Sequence, residues 1–287
     1  MKNTVIIILM LLSLSCSDEI DFGEQYEKTV YIVNSDNILY TGEHAFGNEN
    51  DEIVISVYCA SSEPITSDLK VRLKIDRNSL DSLNNLNRLL SATYVDKVML
   101  PSANYTLEGE PYVTIKAGEQ YGTLRIPFRI DGLNPDVSYT LPVSLVSNAA
   151  GYGINPVLKS IVYEVRMTNQ YAGNYAGSSQ ETATSIFGVQ PVLKALSSNK
   201  VRMPAHNLPD DPEKLKINYM VLIVADDGSV SIAPFGFAEV TDLGGSLYDA
   251  DKQRFELHYR FTDANSRTVT VTEIIRNLNA PEEEFED

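Results

Sequence analysis

Two cysteines, three histidines and thirty-nine carboxylates are the groups in this chain from which covalent or acid–base chemistry would have to come. Cys16 has the surroundings that assign it a reaction. Ahead of it stand a single Lys2, the apolar run Val5 to Leu14 and the small residue Ser15. Ten residues of helix rise about 15 Å against a hydrocarbon core of about 30 Å, so the run is too short to span a bilayer and reads as a secretion signal covering residues 1–15. Ser13 occupies the position three before the cysteine where leucine is commoner. Cleavage after Ser15 makes Cys16 the mature N-terminus and its thiol the lipid attachment point. Two or three acyl chains, at about 0.8 kcal/mol per buried methylene, would then tether the protein to a membrane.

The remaining reactive groups point to no reaction. Cys59 lies on the same face of an alternating run as Ile53, Ile55 and Val57, which predicts a buried, inert thiol, with no histidine or basic cluster nearby in sequence to make it a thiolate. His44, His206 and His258 are scattered and lack metal-ligand spacing. No nucleophile elbow, phosphate loop or Cys-x-x-Cys is present, so no cofactor and no metal are expected. Asp249 and Asp251 flank Ala250 without the further ligands of a calcium loop and read as a polar turn. Glu108 and Glu110, around Gly109, read as a solvated turn before Pro111.

The chain has 287 residues and a net charge of −16, from 23 basic and 39 acidic side chains. That length suits two domains, and that charge repels nucleic acid and anionic headgroups. A short acidic tether at 16–25 should precede an N-terminal domain at 26–168 and a C-terminal domain at 169–280, followed by an acidic tail at 281–287.

Period-two alternation dominates both domains. Leu69, Val71, Leu73 and Ile75 alternate with Lys70, Arg72, Lys74 and Asp76, and Ile161, Tyr163, Val165 and Met167 form a similar set. Pro127, which has no N–H for a ladder, puts the Leu124–Ile130 run at an edge or a bulge. One helix is predicted after an Asn78 cap, with Leu80, Leu83, Leu86 and Leu90 as its apolar stripe and Asn84, Asn85, Asn87 and Arg88 facing water. Turn-forming residues from Asn169 to Gly177 mark the domain boundary. Beyond it, a strand at 216–224, the Asp227-Gly228 turn, the alternating Phe255, Leu257, Tyr259 and Phe261, and a strand at 268–276 suggest successive hairpins, while 197–214 with its three prolines reads as a loop. The expected class is all-β: an immunoglobulin-like sandwich with one short helix, then an antiparallel barrel or meander of lipocalin type.

The phrases Ile115-Lys116-Ala117-Gly118, Tyr139-Thr140-Leu141-Pro142-Val143-Ser144-Leu145 and Asn169-Gln170-Tyr171-Ala172-Gly173 resemble those of a family of Bacteroidetes surface lipoproteins. That family joins an N-terminal β-sandwich of unknown function, also found ahead of family-18 endoglycosidase-like domains, to a second β-domain. Its setting is similar to that of proteins accompanying starch-utilisation-type importers. The resemblance implies a non-catalytic role in glycan capture, and Ser17-Asp18-Glu19 resembles the acidic export tag that sends such lipoproteins to the outer face of the outer membrane. Tryptophan, the largest ring for stacking on sugars, is absent. Tyr152, between two glycines, and Tyr248, after Gly244-Gly245, are the candidate ligand-binding rings, the alternative being that they pack over the sandwich end and the barrel mouth. Absent tryptophan favours a second function, a subunit that docks onto an importer or other surface lipoproteins and binds no sugar. A glycoside hydrolase needs only two suitably spaced carboxylates, which the sequence does not locate.

Overall fold

The structure, a computed structural model, describes residues 26–236, 238–262 and 266–281. The signal, Cys16, the acidic tether and residues 282–287 of the tail lie outside the described residues.

The first half is a two-sheet sandwich. One sheet has the order β7 (Tyr121–Pro127), β3 (Glu52–Ala60), β1 (Thr29–Ile32), β9 (Gly153–Ile154). The other runs β2 (Leu39–Ala45), β10 (Ser160–Thr168), β8 (Tyr139–Asn148), β4 (Leu69–Ile75), β6 (Tyr112–Ile115), with β5 (Val98–Met99) also on β8. Among the described residues three pairings are parallel: β1 with β9, β2 with β10 and β5 with β8. Alternation sets which side chains meet between the sheets: Val30 and Ile32 from β1, Ile53, Ile55, Val57 and Cys59 from β3, and Leu69, Val71 and Leu73 from β4 are all buried there. Pro127 lies on the edge strand β7, opposite Glu52, where a missing N–H costs no ladder bond within the sheet.

The helix α1 (Arg77–Leu90) covers part of the second sheet. Its boundaries differ slightly from expectation, since Asp76 rather than Asn78 is the N-cap. Its stripe differs more. Leu80 and Leu83 pack with Val162, but Leu86 and Leu90 are exposed, and Asn84, expected in water, is buried. Asn84 donates to the Lys97 carbonyl at 2.9 Å and accepts from the Tyr94 hydroxyl at 2.8 Å and the Lys97 N–H at 3.1 Å. A polar side chain with three partners tolerates burial, and it ties the helix to the strand that follows it.

The second half closes into an eight-stranded antiparallel barrel. Its strands are β11 (Gly173–Thr182), β13 (Val192–Ser197), β14 (Lys200–Pro204), β15 (Tyr219–Val224), β16 (Ser229–Pro234), β18 (Ser246–Asp249), β19 (Arg254–Thr262) and β20 (Thr268–Asn277). Closure comes from β20 on β11, from Tyr175 opposite Asn277 to Gln180 opposite Thr272. Two short strands lie off this circuit: β12 (Ser185–Val189) pairs with β11, and β17 (Val240–Asp242) with β19. The Asp227-Gly228 turn is present, with Gly228 at φ +82. The barrel interior is filled by Val201, Met203, Leu222, Phe255, Leu257, Tyr259 and Ile275, a core separate from that of the sandwich.

Two expectations are corrected here. The supposed loop at 197–214 contains β14, whose Val201 to Pro204 are all buried, and a 3-10 turn at Pro212–Lys214. The strand expected from residue 216 starts at Tyr219, because Leu215–Asn218 forms a single helical turn, α2.

Candidate functional site

A cleft of about 670 Å³ lies between the two domains. The segment 135–138 and β10 wall it on the sandwich side, and the starts of β11 and β13 wall it on the barrel side. Groups that exchange hydrogen bonds with polyols line it, among them Ser138, Thr168, Asn174, Lys194 and Asn279.

Two carboxylates anchor its walls. Asp136 receives both terminal nitrogens of Arg202, at 2.7 and 2.5 Å, and lies 3.7 Å from Lys194 Nζ. Arg202 reaches across from β14, and it is 1% exposed, stacked 4.7 Å from the Phe235 ring centroid and 5.4 Å from that of Tyr219. Its two hydrogen bonds hold the Asp136 carboxyl below the usual range against the opposing effect of burial. Glu164, on β10, accepts from Lys97 Nζ at 2.5 Å, from Thr41 at 2.9 Å and from the Ser138 hydroxyl. Burial pushes its carboxyl up, but Lys97 and Ser138 together outweigh burial and leave it lowered. Both groups are therefore fixed anions, suited to accepting hydrogen bonds and unsuited to donating a proton.

A second polar constellation lies in the barrel wall. Ser179 Oγ is 2.7 Å from His206 Nδ1, and His206 Nε2 is 3.1 Å from Glu181, which Arg267 grips through two nitrogens at 3.0 and 2.9 Å. The Tyr259 hydroxyl accepts from the His206 N–H at 2.6 Å and donates to Glu273 at 2.5 Å. Serine, imidazole and carboxylate in line are the parts of an acyl-transfer site. Ser179 and Glu273, however, are 0% exposed, and the shallow hollow beside His206 does not include the serine. Burial pushes His206 down, towards the neutral ring, and pushes Glu273 up to about 8, towards the neutral acid. The constellation is a buried polar strut across β11, β19 and β20, out of reach of a substrate.

A third hollow, of about 240 Å³, opens on the outer face of the sandwich and is lined by Lys70, Arg72, Glu110, Tyr112, Ser147 and Asn148.

The residues singled out from sequence are dispersed. Tyr152 packs, half-buried, against the sandwich core, its backbone fastened by the Asn148 side chain through two 2.8 Å hydrogen bonds. Tyr248 sits in strand β18 rather than in a loop, 5.0 Å from the Tyr171 ring and 4.6 Å from that of Phe255. The two tyrosines belong to different domains, and neither lines the cleft. Cys16 lies outside the described residues. Sequence reading missed Arg202, Asp136, Tyr112 and Lys70. The signal for Arg202 was present, since an arginine between Val201 and Met203 interrupts an otherwise apolar triplet. Among the described residues no group of three or more histidine, cysteine, aspartate or glutamate side chains is placed to hold a metal ion.

Comparisons with known proteins also divide the chain in two. A family model described as an N-terminal domain matches residues 26–151, and another described as a C-terminal domain matches residues 159–276. A protein of unknown function from Bacteroides ovatus shares the fold at TM-score 0.62 and 16% identity, over 89% of this chain and 98% of its own. A multidomain protein including DUF1735 from the same organism also gives 0.62 at 16% identity, over 88% and 93%. An auxiliary nutrient binding protein from Bacteroides thetaiotaomicron gives 0.53 at 16% identity, over 83% and 89%. No curated protein matches the chain.

Proposed function

We propose that this chain, matched by one N-terminal-domain model and one C-terminal-domain model, is a non-catalytic lipoprotein of the outer cell surface that assists glycan capture in a polysaccharide-utilisation system. The interdomain cleft carries the reading. Ligand sites concentrate at domain interfaces, and about 670 Å³ lined by hydroxyl, amide and paired ionic groups accommodates several hydroxyl-bearing rings. Asp136 and Glu164, both held ionised, would accept hydrogen bonds from sugar hydroxyls, and Asn174 and Lys194 would donate to them. A glycosidase of the usual kind needs one carboxyl raised so that it can protonate the leaving oxygen, and the two carboxylates fixed in the cleft are shifted the other way. A nutrient-binding role is also the one named for one of the proteins that share this fold.

Cys16 supplies the anchor, and its lipid is the partner on the membrane side; the acidic residues behind it support the outward-facing placement. Affinity electrophoresis of the purified protein through gels loaded with host and plant polysaccharides tests the capture function, and retardation should weaken when Asn174 and Lys194 are both replaced by alanine. Mobility unchanged across the whole panel refutes it. Recovery of an importer subunit from detergent extracts with no glycan added, together with that failure, would replace it with the docking role. Labelling with a palmitate analogue should mark the native protein and miss Cys16→Ala.

A further inference from the structure

We propose that the hollow on the outer face of the sandwich is a second subsite, selective for an anionic sugar residue; this rests on the glycan-capture reading and names a substrate class within it. The hollow lies at the β4–β6 edge of its sheet, whereas the cleft is bordered by β10 and β2 at the other edge. The two sites therefore do not share side chains.

Alternation on β4 sends Leu69, Val71 and Leu73 inward and leaves Lys70, Arg72 and Lys74 on the wet face. Lys74 is matched by Asp76 at 3.2 Å. Arg72 meets Glu110 at only 3.4 Å, with the two side chains 50% and 78% exposed, a pair that solvent screens heavily. Lys70 makes no ion pair among the described residues, and its Nζ sits 3.7 Å from the centroid of the Tyr112 ring. Two cations thus face the hollow against one loosely held carboxylate, in a protein whose net charge is −16.

The framework holds these groups in place. Tyr112, Arg72 and Ser147 stand in one row across β6, β4 and β8. A bulge follows directly, where the register shifts between Arg72 and Leu73, and bulges commonly re-aim side chains beside binding sites. Asn148 is locked by its two bonds to the Tyr152 backbone, so the tyrosine singled out from sequence supports the wall of the hollow instead of facing a ligand. The cation–π contact fixes the ammonium before a ligand arrives, which lowers the ordering cost of binding.

These parts match one ligand chemistry. The half-exposed Tyr112 ring offers a flat apolar surface for the C–H face of a pyranose. Lys70 and Arg72 offer charge-assisted donors for an anionic substituent on the same ring. About 240 Å³ is room for a single sugar residue. The substituent is a carboxylate or a sulfate ester, and the long-range repulsion of an acidic protein for such a polymer makes a local cationic pocket necessary for contact.

Titration calorimetry on the full chain with an oligogalacturonate, a sulfated galactan oligosaccharide without uronate, and a neutral cello-oligosaccharide separates the possibilities. At least one anionic ligand should bind more tightly than the neutral one and weaken as salt is added. The double variant Lys70→Gln with Arg72→Gln should lose about tenfold or more in affinity for it, and Tyr112→Ala should weaken it independently. The uronate and sulfate arms identify which anion is recognised. Neutral and anionic ligands binding equally, or the double variant binding as wild type, overturns the subsite and leaves glycan capture at the cleft standing. Absence of binding to all three, and to the wider polysaccharide panel, overturns both. Unchanged thermal unfolding of the variants shows that a lost affinity is not a lost fold.

Discussion

Arg202 of the barrel holds Asp136 of the sandwich through both terminal guanidinium nitrogens, and this pair fastens one domain to the other at the cleft wall that Asp136 lines. The guanidinium is nearly sealed from solvent between the Phe235 and Tyr219 rings, and its Nε has no hydrogen-bond partner among the described residues. A buried cation already missing one bond depends heavily on the carboxylate that remains.

Asp136→Asn should therefore cost about 3 kcal/mol in unfolding free energy, because it leaves the arginine charge buried without compensation. Arg202→Met combined with Asp136→Ala should cost less than that single change, since it removes both charges and keeps apolar volume beside the two rings. Urea unfolding of Arg202→Met, Asp136→Ala and the double variant, closed as a cycle with Asp136→Asn measured beside them, checks this. Costs that simply add would show that the pair does not couple the domains.

Glu273 makes stability depend on pH in a defined direction. Burial raises its carboxyl from 4.5 to about 8, so the folded state favours the protonated form that the unfolded chain loses sooner. Its contribution is full below about pH 4.5 and disappears as pH climbs to about 8, at no more than about 1.4 kcal/mol per pH unit. His206 acts oppositely, because burial lowers its pKa, and its contribution is lost as pH falls. Glu273→Gln keeps an acceptor for Tyr259 and removes the titration, so its stability should change less than wild type between pH 5 and pH 8. Urea midpoints at pH 5, 6.5 and 8 for both proteins measure it, and parallel curves would contradict it.

Gly177 sits where β11 pairs with β20, and a Cβ there would stand 1.9 Å from the Ile274 carbonyl oxygen. Gly177→Ala should open the seam that closes the barrel, costing on the order of 3 kcal/mol, at the upper end for overpacking. Amide hydrogen exchange should quicken on β11 and β20 before it does in the sandwich, and uniform exchange across both domains would refute this.

Legibility from sequence followed the physics of each segment. Strands with one wet face announced themselves, as in Leu69 to Ile75 and Phe255 to Phe261, because period-two alternation is a local consequence of the pleat. β14 was hidden, since its Arg202 looks like a surface residue until Asp136 is brought to it from 66 positions away. Asn84 misled for the same reason, as its three hydrogen bonds go to Lys97 and Tyr94, beyond the end of the helix. The two tyrosines chosen for their glycine neighbours were located by loop chemistry, and packing placed one against each core. Tyr112, with Lys70 over it, was not chosen, because two residues that far apart become neighbours only through the pairing of β4 with β6.

By itself the sequence determined the all-β class and the acidic character of the chain, because periodicity and net charge are properties of consecutive residues or of the whole composition. Only the tertiary structure decided that the second domain closes on itself, that a buried arginine spans the joint, and which side chains face each concavity. Those are outcomes of strand pairing and burial between distant segments, where the cost of an unmatched charge or an unpaired edge is settled by a partner that local sequence does not name.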